Sequence, residues 1–214
     1  MKGAYVLVLT LIAISVLLGV YLYPRMPEQM ASHWNAQGQV DGYTSKFWGL
    51  FLMPLLVFVL FLFFLIIPRL DPLKANIEKF RRYYEGFVVL ATVFFLYMHV
   101  LTILWSLGVS FDLNQALVPA MGLLFFAAGV MLDHAKRNWF IGIRTPWTLS
   151  SDEVWTKTHR LGGKLFRLSG LVAMLGIFFP QHSLLFVLVP VLLAAAYTTL
   201  YSYLEYGKVT NGIK

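Results

Sequence analysis

The sequence predicts an all-α polytopic membrane protein: a six-helix transmembrane bundle with both termini in the cytosol. Three observations predict it. Of 214 residues, 59% are apolar and only 13% are charged, with a mean hydropathy of +0.71, whereas a soluble domain carries about 25% charged residues. The apolar residues fall in long blocks, each approaching the roughly 20 residues needed to cross a hydrocarbon core of about 30 Å. Finally, 15 of the 17 Lys and Arg residues fall on one side of those blocks: Lys2, then Arg69, Lys74, Lys79, Arg81 and Arg82, then Lys136, Arg137, Arg144, Lys157, Arg160, Lys164 and Arg167, then Lys208 and Lys214. Only Arg25 and Lys46 fall on the other. Under the positive-inside rule the first set is cytosolic.

The first block, Ala4 to Tyr23, is longer than the apolar region of a secretory signal and ends in Tyr21-Leu22-Tyr23-Pro24, so it reads as a retained span. The second runs from Phe47 to Ile67 and the third from Phe87 to Leu107. The fourth, Ala116 to Leu132, carries Gly122, Ala127, Ala128 and Gly129, a composition suited to close helix packing. The fifth, Leu165 to Phe179, is short, and the sixth reaches from Leu184 to about Leu204. Tyr23, Trp48, Tyr83, Tyr84, Trp139 and Tyr206 stand near the block ends, where interfacial aromatics belong. With spans and short loops using almost every residue, 1–214 is one membrane domain with an external loop at 24–46 and cytosolic loops at 68–85 and 134–167. Spans one to three and four to six form halves of opposite orientation, an arrangement found in transporters.

The external loop holds Pro27, His33, Trp34, Asn35, Gly38, Asp41 and Gly42. Gly38 and Asp41-Gly42 mark two tight turns. His33, Asn35 and Asp41 are candidates to converge as ligands of a divalent ion or as a polar clamp on an extracellular ligand. Their spacing matches no metal motif, so neither a metal nor a cofactor is expected. The plainer reading packs His33 and Trp34 at the interface and leaves Asn35 and Asp41 to the turns.

The cytosolic island carries Asn138-Trp139-Phe140-Ile141-Gly142-Ile143-Arg144-Thr145-Pro146-Trp147-Thr148-Leu149, too aromatic for a solvated linker, and is expected to fold back on the bundle. Ser150 with Glu153 three residues on reads as a capping box opening a helix. That helix places Val154, Trp155, Thr158 and Leu161 on one side. Lys157, Arg160, Lys164 and Arg167 share a stripe if the helix continues through Gly162-Gly163. The stripe suits anionic lipid headgroups, at about 1 kcal/mol per basic residue, or an acidic protein partner.

Few ionisable residues lie within the blocks. His99 sits past the middle of the third span and Asp133-His134 ends the fourth. An intramembrane ionisable group is a functional candidate by default, set here against a neutral imidazole bonded to a neighbouring helix. His159 reads as a capping or pairing residue and His182 as a loop residue. The absence of cysteine removes disulfides, zinc–thiolate sites and thiol catalysis. The net charge of +7 is spent on membrane orientation, so direct nucleic-acid binding is not expected.

Both loops resemble the signatures of the SdpI family of bacterial and archaeal membrane proteins. Pro27 followed by His33-Trp34-Asn35, Gly38 and Asp41-Gly42 is similar to its N-terminal motif, with Met26 and Met30-Ala31 departing from the expected Leu and Ile-Pro. The run from Asn138 to Leu149, with Glu153-Val154-Trp155 and His159-Arg160-Leu161-Gly162-Gly163, is similar to its C-terminal motif. The resemblance implies a non-enzymatic, multi-pass cell-membrane immunity protein. Such a protein binds a secreted membrane-active peptide toxin outside and docks a cytosolic repressor inside. On that reading Asn138, Phe140, Gly142, Arg144, Thr145, Pro146, Trp147, Trp155, His159 and Arg160 would face the inner partner. Two other classes stay open from the residues alone. One is a membrane hydrolase or protease at His33/Asp41 or Asp133/His134; the other is a small transporter using His99.

Overall fold

The structure, a computed structural model, describes residues 2–35 and 37–212 of the chain; Lys214, counted above among the inner charges, lies outside them. Among the described residues, six helices are long and apolar enough to cross a membrane. They are α1 (Lys2–Leu22), α2 (Lys46–Leu70), α4 (Arg81–Ser106), α5 (Leu113–His134), α7 (Asp152–Leu175) and α8 (Ser183–Thr210). Two five-residue helices, α3 (Lys74–Glu78) and α6 (Pro146–Ser150), sit in the connections. Among the described residues, strands occur only in a hairpin of β1 (Gln29–Trp34) and β2 (Val40–Ser45) between α1 and α2. The hairpin, the α4–α5 turn and the α7–α8 turn share one end of the bundle. The described chain ends, the α2–α4 connection and the α5–α7 connection share the other.

The helices form two groups of three. α1, α2 and α4 pack on one another, as do α5, α7 and α8, and α4 joins α5 across the middle. Apolar side chains such as Leu17, Phe63, Leu192 and Leu193 remain exposed around the outside, as a lipid-facing surface requires. Buried Val8, Phe61, Phe80, Val88, Met131 and Trp155 make a continuous core toward the chain-end side.

The closest helix contact is between α5 and α7, and glycines make it. A Cβ on Gly122 would stand 2.7 Å from the Gly170 carbonyl oxygen, and one on Gly129 would stand 2.7 Å from that of Gly163. These pairs are seven residues apart on both helices, about two turns, so they recur on one face. The small-residue packing expected of the fourth span is therefore present, and its partner is α7.

Proline shapes α2. Pro68 has no N–H to give the Phe64 carbonyl, and the Tyr84 hydroxyl of α4 donates to that carbonyl at 2.8 Å. Tyr84 is consequently buried, not interfacial as its position near a block end suggested.

Two expectations about the island are corrected. The fifth span does not begin at Leu165: α7 is one helix from Asp152, and Gly162-Gly163 do not interrupt it. Gly163 lies against α5 and Gly162 against Ile143, so the lost helix propensity is offset by packing. The cap of α7 is Ser151, whose hydroxyl accepts from the Val154 N–H at 3.3 Å. Ser150 instead closes α6, donating to the Pro146 carbonyl at 2.6 Å. The capping box belongs to Thr145 and Thr148 at the start of α6.

Gly163→Leu is expected to cost about 1–3 kcal/mol or more by overpacking. It should lower the thermal unfolding midpoint of the detergent-solubilised protein, while Gly207→Ala, at an open position, should leave the midpoint within error.

Candidate functional site

The hairpin is ordered by its own polar side chains. Asn35 Oδ1 accepts from the N–H groups of Gln37 and Gln39, each at 3.0 Å, and Gly38 takes a φ of +75° that favours glycine. His33 of β1 and Asp41 of β2 join across the strands, Nδ1 to Oδ1 at 2.5 Å, with side chains 71% and 45% exposed. Gly42 stands opposite His33, where a Cβ would meet the imidazole's own Cβ at 2.9 Å. His33, Asn35 and Asp41 thus do not converge: two form an exposed clasp and the third is consumed by the turn. His33 is exposed, whereas Trp34 packs on the bundle, its ring edge-on to Trp105 of α4 at 6.0 Å. Pro27 lies exposed in the connection to β1.

Beneath the strands, Met26 and Met30 pack with Leu50 and Ile103. The hairpin is thereby seated on α2 and α4 instead of projecting freely. The methionines that depart from the family pattern are the residues that seat it. Gly38 at the tip comes against α5, where a Cβ would lie 3.3 Å from Asp112 Oδ1. Below the seat is a cavity of about 100 Å³, lined by Ala31, Ser32 and Thr44 of the hairpin, Trp48, Leu52 and Met53 of α2, and His99 and Thr102 of α4. His99 is 1% exposed, and its Nδ1 lies 2.9 Å from the Ser15 hydroxyl of α1.

At the opposite end, residues 135–149 fold into a closed knot. Asn138 does most of the folding: its Oδ1 accepts from Phe140 and Ile141, and its Nδ2 donates to the carbonyls of Lys136 and Ile141. Asp71, beyond α2, accepts the Trp139 N–H at 2.8 Å, and Asn76 of α3 donates to the Arg137 carbonyl at 2.9 Å. His159 Nε2 accepts the Ile143 N–H at 3.0 Å while Nδ1 faces the Trp155 carbonyl at 2.9 Å. The Nδ1–H tautomer satisfies both bonds. Trp155 stacks on that imidazole and donates its indole N–H to the Ala135 carbonyl at 2.9 Å. Thr145 meets Ser202 of α8 at 3.0 Å, and Trp147 lies 5.1 Å from the Tyr203 ring.

Of the candidates for an inner contact, Asn138, Thr145, Trp155 and His159 are buried, and Gly142, half-buried at φ +116°, presses on His159. Phe140, Arg144, Pro146 and Arg160 are exposed, and Trp147 is half-buried. The basic stripe is split: Lys157 bridges Glu153 and Glu205, and Arg167 pairs with Asp133 at 3.2 Å, whereas Arg160 and Lys164 face outward. His134 stacks on Tyr83 at 3.6 Å. His182 ends an exposed 3₁₀ turn. Among the described residues no three His, Cys, Asp or Glu side chains gather as metal ligands would.

Sequence reasoning missed Asp71, Asn76 and Ser15. Asp71 alone carried a signal, since Asp-Pro after an apolar run marks a side chain that binds its own backbone two residues on. Its Oδ1 accepts the Leu73 N–H at 2.7 Å.

These features define a multi-pass helical membrane protein with a seated hairpin at one end and a self-bonded loop at the other. Residues 134–202 match the SdpI/YfhL protein family, and residues 10–58 match a domain of unknown function (DUF1648). The chain is also 27% identical over 203 residues, covering 94% of it and 95% of the relative, to a Bacillus subtilis (strain 168) protein named "Immunity protein SdpI". Both findings support the likeness to the SdpI family that the two loop motifs carried. No solved structure matches it.

Gly142→Ala would put a methyl carbon 2.3 Å from His159 Nε2 at a backbone angle unfavourable to alanine. We expect amide exchange at Ile143 to accelerate and the protein to lose about 1–3 kcal/mol. Unchanged exchange at that amide would show that the imidazole does not hold the loop.

Proposed function

We propose that this chain is a cell-membrane immunity protein that captures a secreted, membrane-active peptide toxin at the hairpin and presents the 135–149 knot to a cytosolic repressor. The observation that carries the reading is the near-full-length likeness to a protein named for immunity. The geometry supports it in two ways. The hairpin is held against α2 and α4 with its polar clasp outward and its apolar face down, so a peptide arriving from the bilayer surface meets a shaped edge. At the other end Phe140, Arg144, Pro146 and Arg160 are each exposed, offering apolar and cationic side chains to an acidic partner.

The distribution of Lys and Arg supports an external hairpin and cytosolic termini. In the cysteine-free chain, single cysteines at Gln37 and Lys208 test this. A membrane-impermeant maleimide should label the first in intact cells and the second only after lysis. Labelling of both in intact cells would end the receptor reading.

Expression in a sensitive strain challenged with a secreted membrane-active peptide toxin is expected to protect it. The His33→Ala, Asn35→Ala, Asp41→Ala triple variant should lose most of that protection at equal abundance in the membrane. Full protection by the triple variant would remove the hairpin from the capture site.

A further inference from the structure

The lipid-facing side of the α7–α8 contact is grooved. A trough of about 370 Å³ runs between Leu165, Leu168 and Val172 of α7 and Leu193, Ala194 and Tyr197 of α8. Side-chain size makes it. Leu168, Leu193 and Tyr197 are each more than half exposed and stand as walls, while Ser169 and Ala194, small and buried, form the floor. An empty floor forfeits dispersion contacts, so an apolar chain laid along it gains more than one lying on a smooth helix face. Leu161 and Lys157 continue the same face of α7 at four-residue steps from Leu165. Tyr201 and Lys208 continue that of α8 from Tyr197. From Leu161 to Val172 the helix rises about 16 Å, close to half of a hydrocarbon core of about 30 Å, which is the depth of one leaflet.

Toward the chain-end side the trough opens on cations. Lys157 reaches Glu205 of α8 at 2.5 Å and Glu153 at 2.9 Å, and Lys208 reaches the other Glu205 oxygen at 3.4 Å. Tyr201 lies within the field of the same Lys157, Lys208 and Glu205, which joins this cluster to the trough. Lys164, exposed and one turn before Leu168, takes part in no ion pair among the described residues. Three ammonium groups therefore meet two carboxylates, and the Glu205 carboxylate is buried beneath two of them. The mouth carries an excess of positive charge. An occupant that suits trough and mouth together has a long apolar chain and an anionic group at its end. A phospholipid of net negative charge has both, whereas a zwitterionic one brings its own ammonium against the lysines.

We propose that the trough between α7 and α8 is a binding site for an anionic phospholipid of the leaflet on the chain-end side. One acyl chain lies over Ser169 and Ala194, and the phosphate sits between Lys164 and the Lys157–Lys208 pair. The lipid would brace α7 against α8 from the outside, across the same interval that Lys157 and Glu205 bridge. The site also gives Lys164, in the half of α7 that carries the basic stripe, a partner at headgroup depth.

The test loads the detergent-solubilised full-length protein with an equimolar mixture of dioleoyl-phosphatidylglycerol and dioleoyl-phosphatidylethanolamine and counts retained lipid by native mass spectrometry. The wild type should retain phosphatidylglycerol over phosphatidylethanolamine by about fivefold or more. Lys164→Gln should lower that ratio about fivefold, and Lys164→Arg, which keeps the charge, should preserve it. Lys74→Gln, at an exposed lysine on α3, should leave it unchanged. Ala194→Leu fills the floor and should reduce retention of both lipids. If that variant unfolds at a lower temperature, the Leu168→Ala, Leu193→Ala double variant, at exposed positions, removes the walls and should have the same effect. Excess glycerol phosphate, a headgroup without chains, should displace nothing. Equal retention of the two lipids by the wild type overturns the site. So does a loss with Lys74→Gln as large as with Lys164→Gln, which would mean general attraction to a basic surface. Retention that survives removal of the walls, or displacement by glycerol phosphate, overturns the acyl-chain assignment and with it the proposal.

Discussion

The structure depends on the backbone-to-backbone approach of α5 and α7. Glycine at 122, 129, 163 and 170 lets the two helices meet with no side chain between them, which in lipid replaces the hydrophobic drive available in water. The approach fixes the level and rotation of α7. From that position Trp155 and His159, about two turns and one turn before Gly163, reach back under the end of α5 and find the Ala135 carbonyl and the Ile143 N–H. Arg167, one turn beyond Gly163, meets Asp133. The loop is therefore folded by a helix contact that lies outside it, and its exposed residues inherit their positions from the same source.

A second theme is how the bundle satisfies polar groups where water is absent. Pro68 leaves the Phe64 carbonyl without its usual donor, and a tyrosine hydroxyl from α4 replaces it. Asn138 answers four backbone groups of its own loop. Lys157 divides its charge between Glu153 and Glu205, tying α7 to α8.

Much of the fold was legible before any coordinates. The six spans followed from block length and the alternation of basic loops, because both express the same bilayer constraint. The glycine content of α5 announced a close helix neighbour but could not say which, since one of the two complementary glycines, Gly163, lies in a segment whose charges disguised it as a cytosolic helix. Lys157, Arg160, Lys164 and Arg167 lowered the apparent hydropathy of α7's first half, and the span was started 13 residues late. The hairpin was missed for a different reason. Its strands are short and polar, and its alternation is blurred by the register shift around His33. The turn chemistry of Asn35, Gly38 and Asp41-Gly42 was visible. Burial of Asn138, Trp155 and His159 was not, because a motif in sequence does not distinguish a residue that holds a surface from one that forms it.

β2 ends at Ser45 and α2 begins at Lys46, with no intervening residue. Lys46 is also bonded back to Glu28, by its N–H to the carbonyl and by its ammonium to the carboxylate. The hairpin is thus not a flexible appendage but a handle welded to a 25-residue rod. A force that tilts the handle must roll the rod, and the far end of that rod carries the Phe64 carbonyl gripped by Tyr84. Mechanical news from one face of the bilayer would arrive at the other without any segment having to unfold.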